Sequence, residues 1–181
     1  MQGKSFSRIQ RGLSLVETMI ALTIVCILIG VATPTFLETQ RKRQLIGTSD
    51  ELLSDIHFAR SHAVARNEGV RISAHALATG GTCMIVHTGS TADCSCGASG
   101  PAVCTSGAQE IKTHRFAATG GVQMTVSAAS MRFDPVRATV TPAGTLRMSN
   151  SDGRAINHVV SAMGRVRSCS PGATMPSYKP C

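Results

Sequence analysis

Two arginines near the C-terminal end have a spacing that suits phosphate binding. Gly164-Arg165-Val166-Arg167 reads as a short strand, in which residues two apart project from the same side. Arg165 and Arg167 would then stand about 7 Å apart, a spacing that resembles adjacent phosphates on one nucleic-acid strand. Gly164 would allow a close approach to the backbone. The alternative is that both arginines only solvate an exposed strand.

Positive charge accumulates in the same part of the chain. The net charge is +8, and without the basic residues of positions 1–12 it would be +5. Residues 132–181 hold seven Lys or Arg and two Asp or Glu, so Arg147, Arg154 and Lys179 would widen the patch. Such an excess favours polyanions or anionic surfaces. Since Tyr178 is the only aromatic residue nearby, we expect sequence-independent phosphate contacts rather than base stacking.

Six cysteines lie beyond the N-terminal apolar run: Cys83, Cys94, Cys96, Cys104, Cys169 and Cys181. An even number among Gly, Ser and Thr residues indicates disulfides and an oxidising compartment. The sequence does not fix the connectivity, although Cys169 and Cys181 enclose a Pro-rich tail and are the favoured pair. The alternative is a zinc site, whose candidate ligands are Cys83, Cys94, Cys96, Cys104 and His87. Their spacings fit no common zinc pattern.

A single carboxylate stands at the start of a long apolar run. Residues 18–37 carry no charge, which is the length of a helix that crosses a bilayer, and Glu17 directly precedes them. A carboxylate at membrane depth is costly without a partner. An ordinary secretory signal, cut after residues 30–32, is one alternative. A cut after Gly12 would instead give Leu13 a new ammonium group, with which Glu17 can pair on the same chain or a neighbouring one.

The stretch Arg11-Gly12-Leu13-Ser14-Leu15-Val16-Glu17 resembles the type III signal of type IV pilins and type II secretion pseudopilins. The resemblance implies that a prepilin peptidase cuts after Gly12 and methylates Leu13, and that Glu17 serves assembly with other pilins. It also implies an inner-membrane protein with its domain in the periplasm. After assembly that protein would belong to a pilus on the cell surface.

The remaining pattern predicts the elements that position these residues. Residues 1–12 form the leader, 13–37 the membrane and filament-core half of a helix, 38–69 its amphipathic half, and 70–181 a disulfide-stabilised β-domain. Pro34 is expected to kink the helix, and Asn67-Glu68-Gly69 to end it. Residues at steps of four and three along the amphipathic half form one largely apolar face of the helix. Its members are Leu45, Ser49, Leu52, Ile56, Ala59 and Ala63.

Short strands separated by turn residues are predicted after Gly69. They cover residues 70–76, 82–87, 111–117, 122–127, 131–134, 139–141, 145–149, 155–160 and 165–168. Residues 89–107 are predicted to form a long loop that two or more disulfides staple. The fold class is therefore α+β and similar to type IV pilins, with a long N-terminal helix packed on an antiparallel β-sheet domain.

Two further motifs narrow the resemblance to the GspH/FimT group. Residues 51–70 resemble that group's helix-to-first-strand region, with the pattern L…AR…A…RN…V. Gly164, Arg165 and Arg167 match the Gly-Arg-x-Arg motif of FimT-type minor pilins, which implies binding of double-stranded DNA and a role in DNA uptake during natural transformation.

Two alternative functions remain within this resemblance. One is a structural minor pilin that primes assembly at the pilus tip, as FimU-type proteins do, and the other is a GspH-like pseudopilin of a type II secretion system. No arrangement of acid, base and nucleophile is discernible, so an enzyme is not expected. No cofactor or metal is predicted.

Overall fold

The computed structural model describes residues 14–97 and 100–181, with only the backbone for residues 31–34. The chain divides into two compact units, Met1–Gln40 and Arg41–Cys181. One long helix, α1 (Leu15–Arg66), is followed by eleven short strands. The predicted leader, with the predicted cleavage residues Gly12 and Leu13, lies outside the described residues.

The start of α1 gives Glu17 a local role that the sequence analysis missed. Ser14 precedes the helix, and its Oγ accepts a hydrogen bond of 3.2 Å from the Glu17 backbone N–H. The Ser14 carbonyl accepts the next bond, from the Thr18 N–H at 3.2 Å. This is N-terminal capping, and a carboxylate in the first helical turn also interacts favourably with the helix dipole.

Within the described residues, no single helix has the length and the apolar composition that are needed to cross a membrane. The required length and apolar composition are reached only by a bent pair of helical segments, Leu15–Gly30 and Thr35–Arg66, with an angle of 41° between them. The bend falls at the interval that contains Pro34, where the sequence predicts a kink, because proline cannot donate the helical hydrogen bond. In the single chain, the described apolar side chains from Leu15 to Leu37 are largely exposed.

In the second unit, the predicted apolar face of α1 is confirmed as the face that packs on the sheets. All six of its residues, Leu45 to Ala63, are buried. The helix ends with Asn67 in the left-handed conformation, at φ 50°. Glu68 N–H donates to the Ala63 carbonyl at 3.1 Å, and Asn67 N–H to the Val64 carbonyl at 3.3 Å. These bonds satisfy carbonyls that the last turn would leave unpaired.

The strands, in chain order, are β1 (Val70–Ala76), β2 (Gly81–Thr88), β3 (Cys94–Cys96), β4 (Ala102–Cys104), β5 (Glu110–Ala117), β6 (Val122–Val126), β7 (Ser130–Phe133), β8 (Val140–Thr141), β9 (Gly144–Asn150), β10 (Ala155–Val160) and β11 (Val166–Cys169). All nine predicted strands are present, each end within one residue of its prediction. The prediction of a loop over residues 89–107 was wrong in part, because β3 and β4 pair there as a small ribbon.

Two antiparallel sheets pack against α1. One has the order β5-β2-β1-β7-β8, and the other has the order β11-β10-β9-β6. The core between them is poor in aromatic residues and rich in methionine: Met84, Met124, Met131, Met148 and Met175 are all buried in it. Methionine fills irregular gaps well, which suits a core with few large rings. The α+β pilin-type fold class is confirmed.

Three disulfides complete the domain. The bond Cys83–Cys96 joins β2 to β3, and the bond Cys94–Cys104 joins β3 to β4 within the small ribbon. The bond Cys169–Cys181 closes the C-terminal tail. Since the four cysteines of the zinc alternative are disulfide-bonded, they offer no thiolate to a metal. Among residues 14–97 and 100–181, no group of three His, Cys, Asp or Glu side chains is placed to hold a metal ion.

Candidate functional site

The two arginines of the GRVR segment flank the start of an edge strand. β11 begins at Val166, so Arg165 lies in the turn before the strand and not inside it, one residue away from the prediction. Arg167 lies opposite Val159 of β10. Both arginines are exposed, whereas Val166 between them is half-buried and packs on the core. Packing of Val166 therefore holds the two arginines on the solvent side.

A short turn positions Arg165. Gly164 N–H donates to the Ser161 carbonyl at 2.8 Å, and Ser161 N–H donates to the Arg165 carbonyl at 2.9 Å. Arg165 N–H donates to Ser161 Oγ at 3.2 Å. The turn between β10 and β11 is thus closed by its own backbone, and the arginine side chains are left for solvent or a ligand.

An open groove of about 500 Å³ adjoins these side chains, lined by Val159, Ser161, Arg165, Val166 and Arg167. In the part of the chain that the structure describes, no carboxylate forms an ion pair with either guanidinium. Each guanidinium presents several N–H donors in a planar fork that fits oxyanions such as phosphate. The arrangement can bind an anion, and nothing in it resembles a catalytic constellation.

Gly164 faces the protein and not the groove. It is buried and has φ +72°, and a Cβ atom added there would lie 2.4 Å from the Ala138 carbonyl oxygen and 3.1 Å from Arg60 Nε. The expectation that Gly164 opens the backbone to a ligand therefore needs correction. Glycine is required at this position by the left-handed turn and by its contact with the neighbouring chain segment.

The other predicted basic residues are placed differently. Arg147 is exposed on β9 opposite Asn157, one strand further into the sheet. It lies on the same sheet face as Arg167, about 12 Å away by strand geometry. Lys179 is exposed near the far end of β11, where its carbonyl accepts a bond from Ser170 N–H at 2.8 Å. Neither residue lines the groove.

Arg154 belongs to a different cluster, at the opposite end of β10. It lies 3.6 Å from Asp152, which also accepts a hydrogen bond of 3.0 Å from Arg41. Its charge is therefore partly compensated. By strand geometry it stands roughly 20 Å from the turn that holds Arg165. The structure brings together Arg165 and Arg167, and it places Arg154 apart from them.

Two basic residues near the site were missed by the sequence analysis. Arg60 of α1 packs against Gly164, and Arg137 is exposed in the turn between β7 and β8. That turn adjoins the GRVR turn, because Val140 N–H donates to the Ala162 carbonyl at 2.8 Å. No local pattern indicates this proximity, which arises only when the two sheets close around α1.

Glu17 is exposed in the first turn of α1. Its predicted role in assembly, and the predicted processing at Gly12 and Leu13, stay predictions. The motif around them has independent support, since residues 7–33 match the family model for the prokaryotic N-terminal methylation motif. A long helix behind such a motif, packed on antiparallel sheets, defines the class of type IV minor pilins and pseudopilins.

The family is identified by a match between most of the domain and a family model. Residues 48–164, more than half of the chain, match the family model for type II transport protein GspH. The chain belongs to the GspH family. Among solved structures, it is similar to the type IV minor pilin FimU of Pseudomonas aeruginosa strain PAO1, with 17% identity and a TM-score of 0.48 over 74% of this chain and 97% of that one. No curated protein sequence gives a match.

Proposed function

We propose that this chain is a minor pilin of a type IV pilus that binds double-stranded DNA without sequence preference and supports DNA uptake in natural transformation. One observation carries the proposal: Arg165 and Arg167 stand exposed on either side of a half-buried residue, beside an open groove. The proposal also takes the N-terminus to be processed at Gly12, with Leu13 methylated, and the chain to pass from the inner membrane into the pilus.

The exposed arginines of the site determine the sequence preference, the salt dependence and the strength expected of DNA binding. Contacts to phosphate carry no base information, so affinity is expected to be similar for different duplex sequences. Each phosphate neutralised by an arginine releases counterions, so the affinity falls as salt rises. With two principal arginines, binding by one subunit is weak, and many subunits or other pilins would strengthen it through multivalency.

A second candidate function is a purely structural role. The description of the matching family, a type II transport protein, favours a pseudopilin of a type II secretion system. The FimU-like role, in which a minor pilin primes assembly at the tip, is the corresponding alternative within a pilus. In either case the arginines would only solvate the edge strand, and Glu17 would be the functionally important residue.

Genetic complementation separates these roles. A strain lacking the chain is complemented with the wild type or with Arg165→Gln/Arg167→Gln, and transformation frequency, piliation and secreted enzyme activity are compared. A DNA-uptake pilin predicts that the double variant restores piliation but lowers the transformation frequency by at least about tenfold. Full transformation by the double variant would contradict the proposal. Loss of enzyme secretion in the deletion strain would favour the pseudopilin.

A further inference from the structure

Two arginines lie directly opposite each other on neighbouring strands of the five-stranded sheet. Arg71 of β1 is the register partner of Arg132 of β7. The residues on either side of each arginine are buried in the core: Val70, Ile72, Met131 and Phe133. Since successive side chains of a strand alternate between faces, both arginines project from the face opposite the core. The Cβ atoms of directly opposite residues stand about 5 Å apart.

The protein does not neutralise the charges of this arginine pair. Like charges directly opposite each other destabilise a sheet. Burial and, next, the charge of Arg132 lower the pKa of Arg71, and Asp93 has a smaller opposite effect. Of the carboxylates that the structure describes, none forms an ion pair with either guanidinium. Asp93 Oδ2 instead accepts a hydrogen bond of 2.6 Å from the Ser90 backbone N–H. The pair therefore keeps an excess of positive charge.

A chain of hydrogen bonds holds the guanidinium of Arg71 in place. Its Nη1 donates to Ser130 Oγ at 2.9 Å. His87 Nδ1 lies 2.8 Å from the Thr88 carbonyl, which can only accept, so His87 Nε2 accepts from Ser73 Oγ at 2.9 Å. Ser73 Oγ is then left to accept from Ser130 Oγ at 3.3 Å. Because Ser73 and His87 are fully buried, this chain anchors Arg71 to the rigid part of the sheet.

A glycine makes room for the guanidinium of Arg132. A Cβ atom added to Gly69 would lie 2.7 Å from Arg132 Nη2 and 2.8 Å from Arg132 Nε. The guanidinium therefore lies against the backbone just before β1. Both arginines line one open groove of about 400 Å³, together with Glu68, Gly69, Gly89 and Ser90. The groove thus has two guanidinium groups in its wall, each with N–H donors left for a ligand.

We propose that Arg71 and Arg132 bind a phosphate dianion, either inorganic phosphate or a phosphate monoester. Each guanidinium can donate two parallel hydrogen bonds to an oxyanion. A phosphate monoester carries a charge of about −1.5 to −2 at pH 7 and three strong acceptor oxygens. A carboxylate, or one phosphate of the DNA backbone, carries a single charge. The dianion matches two guanidinium groups best, and the inference does not depend on the proposed function of the GRVR segment.

Nuclear magnetic resonance tests the site directly. The full chain, labelled with ¹⁵N and held in a non-ionic detergent at pH 7, is titrated with sodium phosphate at constant ionic strength. The Nε–Hε signals of Arg71 and Arg132 are expected to move along one saturating curve. The signal of Arg43, at an exposed position of α1, should stay in place, because Arg43 lies about 35 Å along the helix from its end at Arg66. Non-saturating or uniform movement of all arginine signals would overturn the inference.

A second anion tests the preference for phosphate. Sodium acetate, titrated in the same way, is expected to bind at least about tenfold more weakly, since it offers one charge and two oxygens. Equal affinities for acetate and phosphate would overturn the assignment and favour a carboxylate of a partner protein as the ligand.

Substitutions separate the charge of the site from its geometry. Arg132→Gln is expected to weaken phosphate binding about tenfold, whereas Arg43→Gln, the matched control, leaves it unchanged. Gly69→Ala keeps every charge but displaces the guanidinium of Arg132, and a loss of at least about threefold is expected. Its control is Gly47→Ala, at an exposed position of α1 with nothing within 4 Å of the added Cβ. Circular dichroism melting curves check that the variants are folded. Wild-type affinity in Arg132→Gln or in Gly69→Ala would overturn the inference.

Two duplexes distinguish the sources of the phosphate. They share one sequence, and only one of them carries a 5′-phosphate. If the 5′-phosphate strengthens binding and moves the signals of Arg71 and Arg132, the ligand is the end of a nucleic acid. If only inorganic phosphate moves these signals, the ligand is the free ion. If neither does, but the unphosphorylated duplex binds through Arg165 and Arg167, the proposed function survives and this inference fails. If phosphate binds but no duplex does, the proposed function fails and this inference survives.

Discussion

Gly164 lies so close to Ala138 that a Cβ atom added to the glycine would sit 2.4 Å from the carbonyl oxygen of the alanine. This contact joins the turn before β11 to the turn before β8, and it is made possible by the left-handed backbone at Gly164, φ +72°. The first residue of the GRVR segment is thus a structural requirement for the placement of its two arginines.

The first prediction concerns this glycine. Gly164→Ala is expected to lower the free energy of unfolding by at least about 2 kcal/mol, because the left-handed backbone and the clash with Ala138 both disfavour a side chain. Gly153→Ala is the control, since Gly153 has φ +77° but nothing within 4 Å of an added Cβ. It is expected to cost only about 1 kcal/mol. Urea denaturation measures both, and equal costs would contradict the role of the contact.

The second prediction concerns acid stability. His158 is fully buried, with Nε2 2.7 Å from Ser49 Oγ and Nδ1 2.8 Å from Ser168 Oγ, and burial lowers its pKa. Burial also lowers the pKa of His87. In the unfolded chain both titrate near pH 6.5. As the pH falls below that value, the unfolded state binds protons that the folded state does not, so the free energy of unfolding decreases.

Urea denaturation at pH 7.5, 6.5 and 5.5 checks this acid sensitivity. His158→Asn is expected to reduce the change in unfolding free energy between pH 6.5 and 5.5, with His87 responsible for the remainder. The comparison variant is His57→Gln, at an exposed position of α1 whose positive charge contributes to the lowered pKa of His158, and it should change the pH dependence much less than His158→Asn does. A wild type as stable at pH 5.5 as at pH 7.5 would refute the account of both buried histidines.

The third prediction concerns a carboxylate buried between α1 and the first sheet. Asp55 is 3% exposed, and its carboxylate lies 2.6 Å from Lys112 Nζ and 2.7 Å from His114 Nε2. Asp55→Asn is expected to lower the free energy of unfolding by about 2 kcal/mol, since it weakens both contacts. Glu51→Gln, a more exposed partner of the same side chains, should cost at most about 0.5 kcal/mol. Thermal unfolding compares the two variants, and similar losses would contradict the assignment.

The fourth prediction concerns the C-terminal tail. Cys169–Cys181 closes a segment with a sequence separation of 12 residues, which places Met175 in the core. The double change Cys169→Ser/Cys181→Ser is expected to cost about 3 kcal/mol of unfolding free energy. It should also speed hydrogen exchange of the Tyr178 amide, which donates to the Met175 carbonyl at 3.0 Å. Cys26→Ser, at a free cysteine, is the control. Unchanged exchange in the double variant would show that packing alone holds the tail.

The fifth prediction separates two explanations of Glu17. If its charge pairs with another pilin subunit, Glu17→Gln and Glu17→Ala both abolish incorporation into pili. If Glu17 only supports the capped start of α1, glutamine retains much of that role and only alanine is defective. Immunoblots of sheared pili measure incorporation, and Gly12→Asp, which should leave an uncleaved precursor, serves as the reference for failed processing.

The fold could be predicted well wherever the pattern is local. The face from Leu45 to Ala63 follows the helical period, and strands such as β1 and β6 follow an alternation of apolar and polar residues next to turn residues. β3 and β4 were missed because these three-residue strands lie in a stretch rich in Ser, Gly and Cys, a composition that is typical of a loop. Their pairing depends on cysteine contacts such as Cys94–Cys104 that no spacing reveals.

The candidate site, too, could be predicted from the sequence only where the signal is local. Arg165 and Arg167 are two residues apart, so the sequence alone predicts that they share a side. Arg60 and Arg137 approach them only through the packing of α1 and the contact between two turns. Arg154 resembled them in charge and in sequence position, but its proximity to Asp152 is a tertiary feature that composition does not reveal.

The central claim is that Arg165 and Arg167 bind the DNA backbone. The most direct measurement is a titration of the full chain, in a non-ionic detergent, with a short duplex at low and moderate salt, beside Arg165→Gln/Arg167→Gln. The account predicts binding by the wild type that weakens as salt rises and is lost in the double variant, while Arg43→Gln binds like the wild type. Salt-insensitive binding, or equal binding by the double variant, would contradict it.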